Sequence, residues 1–242
     1  MIPALITVRV DSTRLHKKCM KILDLGSGKK CTVLSHVVNR VKSANLRPIV
    51  TTTTLKADDK IAEYCAYFDI ECYRGSVNDK MTRWLETCNQ FGIQEFVTVD
   101  CDDPLFDQNL SKRSFNLLES YDAVQPCENT YTGSVGWSLS TSLLREAVEK
   151  KTADKTEMFW NFLPENASIA KGPVWGIPGF SLEKNLRLTL DYEEDFWMIQ
   201  TLIRKLGPDA TRLEIVDYIS MHPGLTEINA FRQEQWKANQ NV

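Results

Sequence analysis

Histidine is scarce in this chain. His16, His36 and His222 are the three in 242 residues, and none form an H-x-x-x-H metal pair. The seven cysteines (Cys19, Cys31, Cys65, Cys72, Cys88, Cys101 and Cys127) are odd in number and include no C-x-x-C, so neither a disulfide framework nor a zinc ribbon is indicated. Long apolar runs are missing too. The opening run from Ile2 to Val8 ends at Arg9, too short for a signal core or a membrane span. Basic charge is not in excess: 29 Lys and Arg stand against 32 Asp and Glu, a net charge of −3. That composition gives no footing for non-specific nucleic-acid or anionic-membrane binding, although a local basic pocket for phosphate stays open. The expectation is a cytoplasmic protein with reduced thiols and neither nucleic-acid nor membrane partners.

What is present is ordinary for a globular protein, 43% hydrophobic and 25% charged. A chain of this length buries roughly 70–75% of its unfolded surface without staples. Leu5, Ile6 and Val8 lie in a short apolar run that reads as a strand buried on both faces. Val33, Leu34, Val37, Val38 and Val41 repeat at helical spacing, and Ile49 to Thr53 is β-branched, hence a strand. Asp58 is placed to cap a helix carrying Ile61 and Cys65. Ile70 to Tyr73 reads as a strand, Met81, Trp84, Leu85 and Cys88 as a helix, and Phe96 to Val99 as a strand. Leu110 to Leu118 reads as a helix and Ala123-Val124 as a strand. This alternation predicts an α/β fold with a mostly parallel sheet flanked by helices. Such sheets bind ligands beyond the carboxyl ends of their strands.

The second half is less regular. Thr130 to Gly136 and Lys171 to Gly179 read as loops, and Glu157 to Leu163 as a short helix. Leu186 to Leu190 reads as a strand, followed by a helix through Phe196, Ile199 and Leu206 that Gly207-Pro208 ends. The chain is expected to be a single domain over 1–242, with a helical C-terminal segment from about residue 211.

The chemistry gathers in the loops. Arg9 to Lys18 follows the first strand and carries Arg9, Arg14, Lys17 and Lys18 with Ser12 and Thr13. Such a loop suits a polyphosphate, because charge-assisted bonds to phosphate oxygens are strong; a solvated surface loop is the alternative. Gly26 to Lys30 fails as a P-loop, with Leu23 at the first glycine position and Lys30 in place of Ser or Thr, and reads as a tight turn before a helix at Thr32. Asp100, Asp102 and Asp103 crowd the end of the fourth strand, where mutual repulsion asks for a cation such as Mg²⁺; an Asp-rich turn set by Pro104 is the alternative. Cys101 lies beside them as a bystander thiol. Asp191 ends another apolar run and is open to either metal binding or capping. Glu193, Glu194 and Asp195 read as negative charge at a helix N-terminus.

At these residues the sequence resembles the cytidylyltransferases that make CMP-activated sugars, the CMP-KDO synthetase and acylneuraminate cytidylyltransferase group, and above all its spore-coat polysaccharide branch. Arg9, Ser12, Thr13, Arg14, Leu15 and Lys18 fit the opening "A-R-x-x-S-T-R-L-P-x-K", with His16 in place of proline. Val33-Leu34 with His36 and Arg40 resembles the helix that follows. Thr51 to Asp59 is similar to "T-T-x-x-x-x-D-D", and Tyr73 to Ser76 to "F-R-G-S". Asp102 to Leu105 falls on "D-x-P-L", Leu188 to Phe196 on "L-T-L-D-Y-x-E-D-F", and Ile228 to Ala230 on "I-N-A". Where the spore-coat branch has "P-R-G-L-D-V-E-V-F", Thr132 to Leu139 carries neither arginine nor acid.

The resemblance implies a nucleotide-diphospho-sugar-transferase-like (Rossmann-like) fold, Mg²⁺ dependence and a homodimer. It also implies transfer of CMP from CTP to an acidic sugar, KDO-like or nonulosonic, or to a phosphonate. Arg14, Lys18 and Asp102 are then the catalytic residues, and Asp102 and Asp191 the metal ligands. Arg9, Ser12, Thr13, Arg14, Lys18, Thr53 and Arg74 are the nucleotide-binding set. Two other readings are carried forward. One is a metal-dependent glycosyltransferase using Asp100-Cys101-Asp102 as a D-x-D motif. The other is a nucleotide-binding module without catalysis.

Overall fold

The apolar run near the N-terminus becomes strand β1 (Ile2–Thr7) and lies at the heart of a seven-stranded sheet. The computed structural model describes residues 1–127, 130–172 and 186–240. Alternation along β1 explains its place. Ala4 and Ile6 pack into the core on one face, and Leu5 joins Trp84, Phe96 and Leu139 on the other. A strand buried on both faces has no room for polar side chains, hence the unbroken apolar run.

The strands follow as β2 (Ile22–Gly26), β3 (Lys29–Thr32), β4 (Leu46–Thr53), β5 (Glu71–Gly75), β6 (Glu95–Asp100), β7 (Ala123–Gln125), β8 (Ser138–Ser140) and β9 (Ile169–Lys171). The main sheet runs β5-β4-β1-β6-β8-β7-β9. β5, β4, β1 and β6 are mutually parallel, while β8 runs antiparallel to both β6 and β7. The chain leaves β1 for β4 and β5 on one side, then crosses back to β6 on the other. In register, Thr7 lies between Thr51 of β4 and Asp100 of β6. The loops leaving β1 and β6 therefore flank one crevice, the place where such sheets bind ligands.

Helices α1 (Val33–Ser43), α2 (Asp59–Tyr67), α3 (Lys80–Phe91), α4 (Gln108–Asn116) and α5 (Thr141–Lys150) cover the sheet, and α6 (Glu193–Leu206), α7 (Arg212–Met221) and α8 (Arg232–Gln240) follow in the last third. Thr32 caps α1 by accepting the Ser35 N–H at 3.1 Å, and Asp79 caps α3 by accepting the Thr82 N–H at 3.1 Å. Gly92, at φ 65°, ends α3 in a left-handed turn that glycine adopts without a Cβ penalty. No helix among the described residues is long and apolar enough to cross a membrane.

Several expectations are corrected. Of Gly26 to Lys30 only Ser27-Gly28 is a turn, and it joins an antiparallel hairpin of β2 and β3 that hydrophobic periodicity did not disclose. Leu186 to Leu190 is no strand; within it only Arg187 makes a ladder contact, a single bridge to Thr132. The Leu188 and Leu190 N–H groups instead donate to Thr132 and Asp102 carbonyls, so the segment is tied to two loops rather than to the sheet. Asp58 makes no capping bond to α2; its carboxylate is drawn inward. Of the loop expected over Lys171 to Gly179, Lys171 belongs to β9, and 173–179 lie outside the described residues.

Candidate active site

The crevice beyond β1 and β6 holds a cavity of about 480 Å³. Its first wall is the loop after β1. Buried Asp58 tethers that loop: Oδ1 accepts the Val10 N–H at 2.7 Å, and Oδ2 accepts the Thr53 hydroxyl. At the loop's far end Lys17 takes a left-handed φ of 51° and leads into a 3₁₀ turn over Lys18–Met20.

Lys18 is the junction of the site. Its ammonium donates to Asp102 Oδ2 at 2.5 Å and to Asp191 Oδ1 at 2.9 Å. Burial favours loss of its proton, but the two carboxylates outweigh this and raise its pKa above the ordinary lysine value. Asp191 is buried and receives three cations. Arg14 Nη2 reaches Oδ1 at 2.7 Å beside Lys18, and Arg187 Nη2 reaches Oδ2 at 3.0 Å. Burial alone would raise its pKa, yet Lys18, Arg14 and Arg187 together hold it below the ordinary aspartate value.

Across from this cluster, Asp100, Asp102 and Asp103 each offer an oxygen within 4.8 Å of the others. Burial and the neighbouring carboxylates push the Asp103 pKa well up; burial also raises that of Asp100, although Lys80 opposes it. Lys80, in the first turn of α3, has its ammonium 3.5 Å from Asp100 Oδ1 and 3.6 Å from Glu157 Oε1. Burial pushes the Cys101 thiol well up, so it is no nucleophile.

The structure brings Arg9, Ser12, Thr13, Arg14, Lys18, Asp102 and Asp191 to this one cavity. Thr53 and Arg74 are not among its lining residues. Both are occupied with the turn after β4: Thr53 bonds Asp58, and Arg74 pairs with Asp59 at 2.7 Å and donates to the Thr53 and Leu55 carbonyls at 3.0 and 2.8 Å. Asp102 and Asp191 converge on one positive charge, that of Lys18. Asp195 is not a simple helix-end charge but wholly buried, and Glu193 and Glu194 pair with Lys21 and Arg232. Sequence reasoning missed Lys80, Arg83, Glu157, Trp160 and Trp236, which also line the cavity. The apolar stripe of α3 was the available signal, since it fixes which flank carries Lys80 and Arg83.

A sheet with this strand order and a basic loop over a carboxylate cluster defines the class: a nucleotidyltransferase-like α/β protein. The cytidylyltransferase family model matches residues 3–160, and the chain belongs to that family. It is 21% identical to the spore coat polysaccharide biosynthesis protein SpsF of Bacillus subtilis, over 90% of this chain and 94% of that one. A cytidylyltransferase structure from Leptospira borgpetersenii serovar Hardjo-bovis (strain JB197) superposes with a TM-score of 0.77 at 22% identity, covering 93% of this chain and 96% of the other. The structure of CMP:2-keto-3-deoxy-manno-octonic acid synthetase complexed with CTP superposes with a TM-score of 0.62 at 10% identity, covering 84% and 98%. The structural likenesses bear out the expected Rossmann-like fold.

Proposed function

We propose that this cytidylyltransferase transfers CMP from CTP to an acidic acceptor, a KDO-like or nonulosonic sugar acid or a phosphonate, and releases pyrophosphate. The observation that carries the reading is Lys18, held between Asp102 and Asp191 at the mouth of the basic loop. A triphosphate brings its own negative charge to that ammonium, and the two carboxylates keep the ammonium charged until it arrives. The D-x-D glycosyltransferase reading has no comparable use for Arg14 and Lys18, because a diphosphate sugar carries less charge.

In the reaction an acceptor oxygen attacks the α-phosphorus in line, a hydroxyl acceptor giving up its proton to solvent and a phosphonate attacking as its oxyanion. The new P–O bond forms as the bond to the bridging oxygen of the β-phosphate breaks, and pyrophosphate carries the electron pair away. Arg14 and Lys18 offset the charge that builds on the leaving group. Arg9, Ser12 and Thr13 hold the nucleotide from the same loop. Asp58, by fixing Val10, keeps the loop in place.

The donor set fits Mg²⁺. Three hard carboxylates crowd together and repel, which adds to burial in raising the Asp103 pKa, and a hard divalent cation with oxygen ligands relieves that repulsion. Asp102, with Asp100 and Asp103 beside it, would hold the ion, joined by Asp191 once a triphosphate engages Arg14 and Lys18, which hold its Oδ1. When bound, Mg²⁺ supplies charge neutralisation at the phosphate.

The test is pyrophosphate release from each of CTP, UTP, ATP and GTP against a panel of acidic sugars and phosphonates, with and without Mg²⁺. The expected result is release from CTP alone, dependent on Mg²⁺ and on one class of acidic acceptor. Pyrophosphate from none of them, or consumption of a UDP-sugar instead, overturns the reading. A homodimer belongs to the same proposal. Of the aromatic residues available to an interface, Phe159 is committed to the core against Trp84 and Trp137, while Trp160 stays partly exposed and stacks on Trp137. Light scattering that gives the mass of one chain at micromolar concentration removes the dimer.

A further inference from the structure

Among the described residues three arginines are almost fully buried: Arg40, Arg83 and Arg187. Two of them are satisfied. Arg40 donates to the carbonyls of Phe106, Pro208 and Ala210 at 3.0, 2.8 and 2.7 Å. Arg187 is bonded to Asp191, Asp195 and Gln233. Arg83 differs. Its Nη1 donates to the Ser76 carbonyl at 2.5 Å, but its Nε is buried with no hydrogen-bond partner. It makes no ion pair with a carboxylate among the described residues, and it lines the cavity at 4% exposure. A guanidinium does not shed its proton in a protein; Glu157, Asp58 and Asp79 act on this one through space without bonding it, and a buried N–H left without a partner is unfavourable. An oxyanion entering the cavity that Arg83 lines would supply the missing hydrogen-bond partner.

The surroundings define that partner. Lys80 precedes Arg83 by one helical turn and lines the same cavity. Its ammonium contacts with Asp100 and Glu157, at 3.5 and 3.6 Å, are looser than the bonds that commit Lys18. Arg14 and Lys18 are already tied to Asp191 and Asp102. The less tightly held positive charge thus lies at the start of α3, on the Asp100 side of the carboxylates, and a guanidinium fork suits a pair of oxygens on one atom.

We propose that the first turn of α3 is a second oxyanion seat in this cavity, in which Arg83, with Lys80 beside it, takes a substrate oxyanion. A phosphate of the nucleotide and the acid group of the acceptor share this chemistry. The identity of those two substrates rests on the function proposed above; the seat itself does not.

The experiment titrates wild type, Arg83→Gln and Arg83→Lys with inorganic phosphate, CTP and KDO, each followed by calorimetry alongside a thermal melt. Loss of charge-assisted bonds should weaken at least one probe about tenfold or more in Arg83→Gln, and Arg83→Lys, which keeps the charge and loses the fork, should fall between. Loss toward CTP assigns the seat to the nucleotide. Loss toward KDO with CTP unchanged assigns it to the acceptor acid. Affinities for all probes within about twofold of wild type in a variant that melts like wild type overturn the seat, as does a wild type that binds none of them. If Arg83→Gln does not fold, Arg83→Lys is judged by the same criterion. Because inorganic phosphate needs no turnover, an enzyme inactive with CTP but binding phosphate through Arg83 separates failure of the function from failure of the seat.

Discussion

Arg187 and Asp195 form an ion pair in which both side chains are wholly buried, joined by bonds of 2.9 Å from Nε to Oδ1 and 3.2 Å from Nη2 to Oδ2. The same carboxylate accepts the Asn229 amide and the backbone N–H groups of Asp191 and Tyr192, each at 2.9 Å. A carboxylate that merely caps a helix contributes about 1 kcal/mol. Breaking a buried pair leaves an uncompensated charge and costs roughly 3–5 kcal/mol. Asp195→Asn should therefore destabilise by the larger figure in urea titration, and should disturb Asp191 through Arg187. A loss near the capping value would show that the pair is dispensable.

Asp58 supports a second prediction. It is buried, has no ion pair among the described residues, and serves the Val10 N–H and the Thr53 hydroxyl. Asp58→Ala strands a buried N–H, at a cost of about 1–3 kcal/mol, and frees the first loop. The KM for CTP should rise more than kcat falls, because Asp58 positions the loop without touching the cavity. An unchanged KM would mean that the loop holds its shape without this tether.

Much of this was legible in the sequence. Regular alternation of strand and helix announced β1, β4, β5 and β6; buried β1 shows most plainly because a strand covered on both faces must be apolar, while β5 is a half-buried edge strand. The β2–β3 hairpin escaped notice because both strands are short, β3 is mostly polar, and only Leu23 is fully buried. β8 is three residues long, too short to show a period. Leu186 to Leu190 carries strand alternation, yet Arg187 is committed to Asp195 and the backbone to neighbouring loops. At the site, Arg14, Lys18 and Asp102 stand on the loops that leave β1 and β6, where chemistry is expected, and Asp191 closes a run that only resembles a strand. Lys80 and Arg83 look like ordinary solvated charges on a helix; only the tertiary fold turns them inward. Asp58 was misread for the same reason, its cap position in sequence being overruled by a backbone donor 48 residues away.

His36 gives the protein a pH-dependent element away from the substrates. Its Nε2–H donates to the Pro104 carbonyl at 2.9 Å. Burial, together with the Arg40 charge, pushes its pKa down to about 4. The unfolded chain, with an ordinary histidine near 6.5, binds the proton first, so acid favours unfolding. Stability from this group is complete above about pH 6.5 and is lost as the pH falls toward 4, by roughly 3 kcal/mol in all. His36→Gln should be less stable at neutral pH but should flatten this part of the curve. Urea midpoints at several pH values check it; parallel curves for the two proteins would assign the acid sensitivity elsewhere.

Asp102 and Asp191 share Lys18 but stand in different surroundings, and this separates their roles by stability as well as rate. The Asp102 side chain is 27% exposed and that of Asp191 is 2% exposed. Asp191→Asn leaves Arg14, Lys18 and Arg187 facing an amide, so it should destabilise by roughly 3 kcal/mol or more. Asp102→Asn leaves Lys18 its bond to Asp191 and should cost no more than about 1 kcal/mol. Turnover should not follow that order. If both carboxylates serve one cation and one lysine at the reacting phosphate, each substitution should slow CTP-dependent pyrophosphate release by on the order of a hundredfold or more. The double variant should then lose less than the two single losses combined, because the second change removes a partner already disabled. Rates at saturating Mg²⁺ and CTP, read beside urea titrations, test this. Rates near wild type in Asp102→Asn, with the metal requirement intact, would take Asp102 out of the chemistry. Additive losses would place the two aspartates in separate tasks.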